Sequence, residues 1–493
     1  MLSNTFSSKR FSRTFKVWAR RPPKSDKALV KLLSPKPCAE VASEYLSFSI
    51  DISVLVGGHW WEGSTGVNKG LGTQRIEPIN LNSRKLDAFV QALGASYLRI
   101  GGSEADKIHY FDNGGDEHAL VLRRETWDNL HAFIARNRLK FMFTFKYGLF
   151  DRKEHGAWHG SGIQQLLAYT REKNYCIDVC ELGNELNAYW AFHGLQSQPR
   201  ASKLARDYST FIQLIRANLP KAKICGPGSA FWPRLGETIR PFSNITQKFL
   251  QSLTAELDIV DWHYYPFQST RSPVRTRTAK LQAVISPQSW RAFSHYSEQL
   301  LLWRDRYQPN AELWTGETGS AQCGGQVKVS DRFASCFWWA DQLGRGAVLG
   351  QKVMVRQSLI GGDYGLIDRL SLKARPDYWV SWLWVRLMGT QVYMVESSDP
   401  EIVSYCHAHP EKKQKTLLLI NTSSNEKRVN CVSFGVIKKT YSVTASKLDA
   451  KKVTINGVRP RLRGGKLALS DFPKQKNIQC LAPFSINFWC FVN

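Results

Sequence analysis

From residue 45 onward the chain alternates short apolar runs with longer amphipathic stretches, and this repeated alternation constrains the fold more than any other feature. Strands are expected at 46–52, 97–100, 141–145, 177–182, 223–225, 259–262, 312–315 and 351–356. Amphipathic helices are expected between them, among others at 83–94, 127–136, 163–173, 203–218 and 294–307. Strand, helix and strand in repetition imply a parallel sheet, because a crossover helix is what returns the chain to the same end. About eight such units in about 350 residues predict a closed (β/α)8 TIM barrel with generous loops. A doubly wound sheet is the competing α/β architecture, but no Gly-x-Gly-x-x-Gly follows an early strand.

After about residue 395 the helical period disappears, and short strand-like runs joined by turns such as Thr422-Ser-Ser-Asn425 and Asn456-Gly457 take over. The domain reading is therefore a catalytic barrel over 44–395 and a C-terminal β-sandwich packed on it over 396–493. Residues 1–43 are read as a basic, polar leader, expected to be disordered, in which the first acidic residue is Asp26. That leader lacks the apolar core of a secretory signal. No run approaches the roughly 18 uninterrupted apolar residues of a membrane span. Ten cysteines show no zinc-type spacing, and neither a metal nor a cofactor is expected.

Charge narrows the partners. Lys and Arg total 67 against 41 Asp and Glu, a formal +26. Such a field attracts polyanions: nucleic acid, anionic membrane or acidic polysaccharide. Charge gives no choice among the three, and no zinc-finger, RNP-type or basic amphipathic-helix pattern is present, so nucleic acid would rest on charge only.

Two segments carry the chemistry. Cys180-Glu-Leu-Gly-Asn-Glu185 and Leu313-Trp-Thr-Gly-Glu317 each place a Glu just beyond a predicted strand end, where active sites of this fold collect. Their 132-residue separation equals three β/α units, which puts Glu185 after strand four and Glu317 after strand seven, across the barrel mouth. Two carboxylates facing each other serve glycosidic cleavage, one protonated to donate to the departing oxygen and one ionised to attack the anomeric carbon. Asn184, beside the expected acid, is placed to bond the sugar 2-hydroxyl.

In this order and spacing, Asn184-Glu185 and Glu317 resemble those of clan-A retaining glycosidases. Tyr97-Leu-Arg-Ile-Gly-Gly102, Asp261-Trp-His-Tyr-Tyr265, Gly316-Glu-Thr-Gly-Ser-Ala321, Val355-Arg-Gln357, Tyr364-Gly-Leu-Ile-Asp368 and Pro376-Asp-Tyr-Trp379 narrow the resemblance to the heparanase-type family. That family includes heparanases and β-glucuronidases. The resemblance implies Glu185 as acid/base and Glu317 as nucleophile. It places Asp51, Asn184, Tyr265 and Gln357 at sugar contacts, and Gly324, Gly325 and Tyr364 around a uronic carboxylate. Tyr264 stands in for Tyr265 if the strand register is shifted by one. It also implies a secreted, periplasmic, lysosomal or membrane-associated setting. A basic run, Arg271-Ser-Pro-Val-Arg275, follows strand six, and Arg271 and Arg275 are expected to read sulfate or carboxylate groups of a polymer.

The chain departs from the family pattern at three places. Leu186 stands where the family has Pro, Lys146-Tyr147-Gly148 stand where it shows an Asn, and the stretch from Gly102 to Phe141 is too short for an excised linker. The last departure predicts activity without proteolytic cutting. The leading expectation is a retaining endo-β-glucuronidase on heparan-sulfate-like polymers. An exo-β-glucuronidase on small glucuronides and a non-catalytic glycosaminoglycan-binding protein are the alternatives.

Overall fold

The computed structural model describes residues 27–62, 73–112, 119–148, 151–152, 156–240, 243–410, 414–475 and 479–492. Eight strands close into a parallel barrel: β1 Leu46–Asp51, β2 Tyr97–Gly101, β3 Lys140–Phe145, β4 Val179–Leu182, β5 Lys223–Trp232, β6 Ile259–Tyr264, β7 Glu312–Thr318 and β8 Met354–Arg356. Each pairs with its neighbours in sequence, β8 returns to β1, and the β4–β5 pairing completes the ring. A principal helix follows every strand: α1 Arg84–Gln91, α2 Arg124–Asn137, α3 Gln164–Glu172, α4 Ala201–Asn218, α5 Thr246–Ser252, α6 Pro287–Tyr307, α7 Phe333–Val348 and α8 Pro376–Leu387.

Several strands run past the ends expected from the sequence. The register shifts between Gly226 and Ser229, between Trp262 and His263, and between Thr315 and Thr318, and each strand continues beyond its shift. A bulge breaks the period of two that makes a strand legible, and it turns the next side chains in a new direction. These irregularities lie in the middle of β5 and toward the carboxyl ends of β6 and β7, and redirect the side chains that follow them toward the barrel mouth.

Inward side chains form two layers. At the floor, Tyr97, Met142, Val179, Cys225, Ile259, Trp314, Val353 and Val355 make a separate apolar cluster, with Tyr97 and Trp314 rings 4.9 Å apart. Above it, two residues further along the strands, stand Arg99, Thr144, Glu181 and Asp261, with His263 two further still, all buried. The barrel is thus apolar at the bottom and ionic at the top.

The sandwich has a seven-stranded and a four-stranded sheet. The expectation that residues up to 43 form a disordered leader is corrected for 27–43. Lys27–Leu32 pairs with Val395–Ser397 and Lys427–Asn430 in the smaller sheet, and Ala39–Glu40 edges the larger one. The segment Lys-Ala-Leu-Val-Lys-Leu alternates, and Val30 is fully buried in the sandwich core. Residues 1–26 lie outside the described residues. The sandwich is locked to the barrel through α7. Its first N–H groups, which no helical carbonyl can satisfy, donate from Phe333 to Ala450 O and from Ala334 to Leu448 O, both at 2.9 Å. Tyr405 of the sandwich donates to Asp341 at 2.6 Å and packs so tightly on Gly344 that an added Cβ would lie 2.2 Å from its ring. Among the described residues, no helix is long and apolar enough to cross a membrane.

Candidate active site

The site is built on Arg99. A guanidinium buried at the centre of a barrel needs anionic partners on several sides, and its fork supplies the geometry for them. Nη1 donates to Glu317 Oε2 at 2.7 Å, while Nη2 donates to Glu181 Oε2 at 2.9 Å and to Asn184 Oδ1 at 2.8 Å. Nε adds a third donation to Glu181 at 3.1 Å. One side chain of β2 therefore ties the acid-bearing ends of β4 and β7 together.

Glu317 ends up with both oxygens engaged, because Tyr265 donates to its Oε1 at 2.6 Å. Glu185, on the turn leaving β4, sits at φ +53°, a left-handed conformation that a β-carbon disfavours. That turn aims its carboxyl back over the barrel mouth, where Trp232 Nε1 donates to Oε1 at 3.0 Å. An oxygen of Glu185 and an oxygen of Glu317 come within 4.8 Å of each other, with His263 in the same group.

Electrostatics set the two apart. Burial pushes the Glu185 carboxyl up, His263 and Trp232 pull it down, and the repulsion of Glu317 adds to the rise, so the net displacement is upward. Burial opposes charge on His263 too. Glu317, Glu181 and Glu185 outweigh it and hold the imidazole up to about 10, so it is a cation at neutral pH. Its Nδ1 is 3.5 Å from Glu185 Oε1 and its Nε2 is 3.7 Å from Glu181 Oε1. Burial also raises Glu181, but Arg99, His263 and Thr144 overcome it and hold Glu181 below the usual carboxylate range. Asp261, in the same cluster, is pushed up to about 7 by burial and by the Glu181 charge. The geometry of these acids and His263 would admit a metal ion. Arg99 already supplies counter-charge to Glu181 and Glu317 in this cluster.

The sequence-predicted residues divide into two groups. Asp51, Asn184, Tyr265, Gln357 and Tyr364 line one cavity with Glu185 and Glu317, joined by Trp61, Trp232 and Glu104. Tyr265 and not Tyr264 faces the site, since Tyr264 packs outward on Trp262, Phe293 and Tyr296. Asp51 accepts from Ser53 N at 2.9 Å, and burial, with Glu317 and Glu104 nearby, drives its carboxyl well above the normal range. Ser49 donates to the Gln357 side-chain oxygen. Gly324 and Gly325 do not line the cavity, but both take positive φ, +78° and +83°, beside it. A Cβ on Gly325 would approach Tyr364 N to 2.7 Å, so only glycine lets the two loops meet.

The basic run is corrected. Arg271 is buried, donating to Asp363 Oδ2 at 2.6 Å and to Gly325 O at 2.8 Å. Its Nη1 and Nη2 are both engaged within the fold, so it fastens the glycine loop to the Tyr364 loop. Arg275 is exposed and does not line the cavity. Of the family departures, Leu186 is fully buried at the turn, and Tyr147 is buried with its hydroxyl donating to Asp207 at 2.8 Å. Neither lines the cavity.

Arg99, Glu181, Asp261, His263 and Trp232 were not singled out from the sequence. A signal existed for four of them. Arg99, Glu181, Asp261 and His263 are charged or ionisable positions at even spacing inside apolar strands, the pattern of side chains facing a polar barrel centre. Trp232 had no such signal, because it lies beyond the Gly226–Ser229 register shift.

With this geometry in place, comparison with known proteins gives a coherent result. The model of glycosyl hydrolase family 79, N-terminal domain, matches residues 60–344. Rat (Rattus norvegicus) heparanase is 31% identical over 402 residues, 69% of this chain and 70% of that protein. Heparanase-like protein 1 of Arabidopsis thaliana is 28% identical, covering 74% and 69% respectively. The hyaluronoglucuronidase of the leech Hirudo nipponia is 23% identical, covering 83% and 90%. Among solved structures, an arabinofuranosidase of family 51 from Xanthomonas axonopodis superposes with a TM-score of 0.67 at 14% identity, over 94% of this chain and all of that one. A rhamnosyl-glucuronidase from Fusarium oxysporum gives 0.62 at 15%, over 96% and 99%, and both share the fold. The expected heparanase-type resemblance thus stands: the chain belongs to glycosyl hydrolase family 79 and is an O-glycoside hydrolase.

Proposed function

We propose that the protein is a retaining endo-β-glucuronidase acting on glycosaminoglycan chains of the heparan-sulfate type, with Glu317 as nucleophile and Glu185 as acid/base. The observation that carries this reading is the pair of unlike carboxylates: oxygens within 4.8 Å, one raised by burial and one gripped by Arg99 and Tyr265. A retaining double displacement works with carboxyls about 5–5.5 Å apart, whereas inversion needs room for a water at about 6.5–9.5 Å.

Glu317, charged and pinned between two donors, attacks the anomeric carbon. Glu185 holds its proton until the departing oxygen takes it. Glycosylation then removes the Glu317 charge, which lowers Glu185 and readies it to take a proton from the incoming water. Asn184, fixed by Arg99, meets the 2-hydroxyl, where hydrogen bonding strengthens as positive charge grows on the ring. The uronic carboxylate is received by Tyr364 at the cavity wall, with the Gly324–Gly325 turn packed against the Tyr364 loop. Relatives named heparanase and hyaluronoglucuronidase support the glycosaminoglycan assignment.

The test is incubation of the pure protein with heparan sulfate and with a chromogenic β-glucuronide. Shortened chains and a β-configured first product are expected. An α-configured first product would remove the retaining reading. Chromophore release without chain shortening would replace endo with exo action.

A further inference from the structure

One exposed segment of the sandwich is dense in positive charge. Between Thr454–Ile455 and Cys480–Leu481 the chain carries Arg459, Arg461, Arg463 and Lys466. Exposure alternates along it: the three arginines are exposed, Pro460 is buried and Leu462 is half-buried against the main core. The apolar residues anchor the segment, and the arginines stand off it like a comb.

The comb ends in a tight hairpin. Gly464 and Gly465 take φ +55° and +77°, the conformation a two-residue turn demands. Arg463 and Lys466 exchange both backbone hydrogen bonds at 3.0 Å. Their side chains therefore lie directly opposite each other, an arrangement that like charges disfavour. Among the described residues, none of Arg459, Arg461, Arg463 and Lys466 forms an ion pair, although Arg345, Arg369 and Arg375 are each matched with an acid. Repulsion left uncompensated in the free protein is relieved by an anionic ligand.

The position has a direction. A Cβ on Gly465 would lie 3.4 Å from the Ala88 Cβ of α1. Arg84, also exposed, is four residues before Ala88 on the same helix face. Because α1 descends from the mouth of the barrel, Arg84 is about 6 Å nearer the catalytic end.

We propose that Arg459, Arg461, Arg463, Lys466 and Arg84 form an exosite for a sulfated polysaccharide, which holds a polymer along the sandwich–barrel seam and leads it toward the cleft. Arginine forks match the planar faces of sulfate oxygens. A single-stranded nucleic acid site pairs its cations with aromatic platforms, and residues 456–470 contain no Phe, Tyr or Trp. The choice of polymer rests on the glycosaminoglycan reading above, but the exosite itself does not need the catalytic assignment.

The test uses the full chain and size-defined heparin oligosaccharides as probe. The triple variant Arg459→Ala, Arg461→Ala, Arg463→Ala is expected to bind them at least tenfold more weakly. The salt dependence of binding should become shallower, and melting temperature and chromogenic-glucuronide turnover should stay unchanged. On heparan sulfate its KM should rise while kcat holds. The single variant Arg461→Glu should show the same direction if the triple variant folds poorly. Unchanged heparin affinity in both would overturn the proposal. So would wild-type affinity for single-stranded DNA above that for heparin, lost in the same variants. Heparin held by the comb without hydrolysis of any glucuronide would leave the exosite standing and remove the glucuronidase reading.

Discussion

Replacing Glu317 with Gln should lower the pKa of Glu185, and the structure fixes the size of the effect. Oxygens of the two carboxyls come within 4.8 Å, both side chains are buried, and the Glu317 charge is one of the causes that raise Glu185. At an effective dielectric of about 20, unit charges at that separation interact by about 3.5 kcal/mol, or about 2.5 pKa units. One response modifies this. His263 loses the largest of the charges holding its proton and becomes a weaker cation beside Glu185, which offsets part of the drop. A net fall of about 1–2 units is expected. The assay is carboxyl 13C NMR titration of Glu185 in labelled wild type and Glu317→Gln. This measurement needs no turnover, which Glu317→Gln should abolish. An unchanged or higher Glu185 pKa in the variant would refute the coupling, and with it the idea that glycosylation of Glu317 converts Glu185 from acid to base.

Other expectations follow from the same contacts. Arg271→Ala strands the Asp363 carboxylate and frees both loops. It should cost about 3–5 kcal/mol of stability by chemical denaturation and raise KM for a glucuronide, whereas Arg275→Ala should leave both unchanged. His263 is raised in the folded state, so its contribution is fully present below the unfolded pKa near 6.5. That contribution drains as pH climbs toward about 10. Melting temperature should therefore fall across that window, and the fall should be shallower in His263→Asn; an equal slope in both would exclude the assignment. Gly102→Ala would put a Cβ 2.0 Å from Asp51 Oδ2 at φ +102°, and should reduce kcat/KM at least tenfold in steady-state assays. Because burial holds Asp51 well above the usual carboxylate range, the nearly isosteric Asp51→Asn should melt within a few degrees of wild type; a large loss would mean that the carboxyl is ionised in the fold.

The barrel was legible because β/α alternation repeats and each repeat buries an apolar face. The placement of Glu185 just after β4 and of Glu317 near the end of β7 was legible because both fall at carboxyl ends of strands three repeats apart. Residues 27–43 were misread as a leader because a short alternating strand is outweighed by the charged segment before it. Only the sandwich strands that flank it in space reveal its partners. The basic run after β6 misled for the opposite reason. Its charges are plain in the sequence, but the acid that engages Arg271 is Asp363, 92 residues away.

What the sequence determined by itself was the periodic and the local: parallel strands, the fold class and the two acids with Asn184. What only the tertiary structure decided was which charges surround those acids, and with that the upward displacement of the Glu185 carboxyl. Protonation in a buried site follows from which charges share a few ångströms of low-dielectric space. Arg99 from β2, Glu181 from β4 and His263 from β6 meet Glu317 from β7 only once the ring has closed.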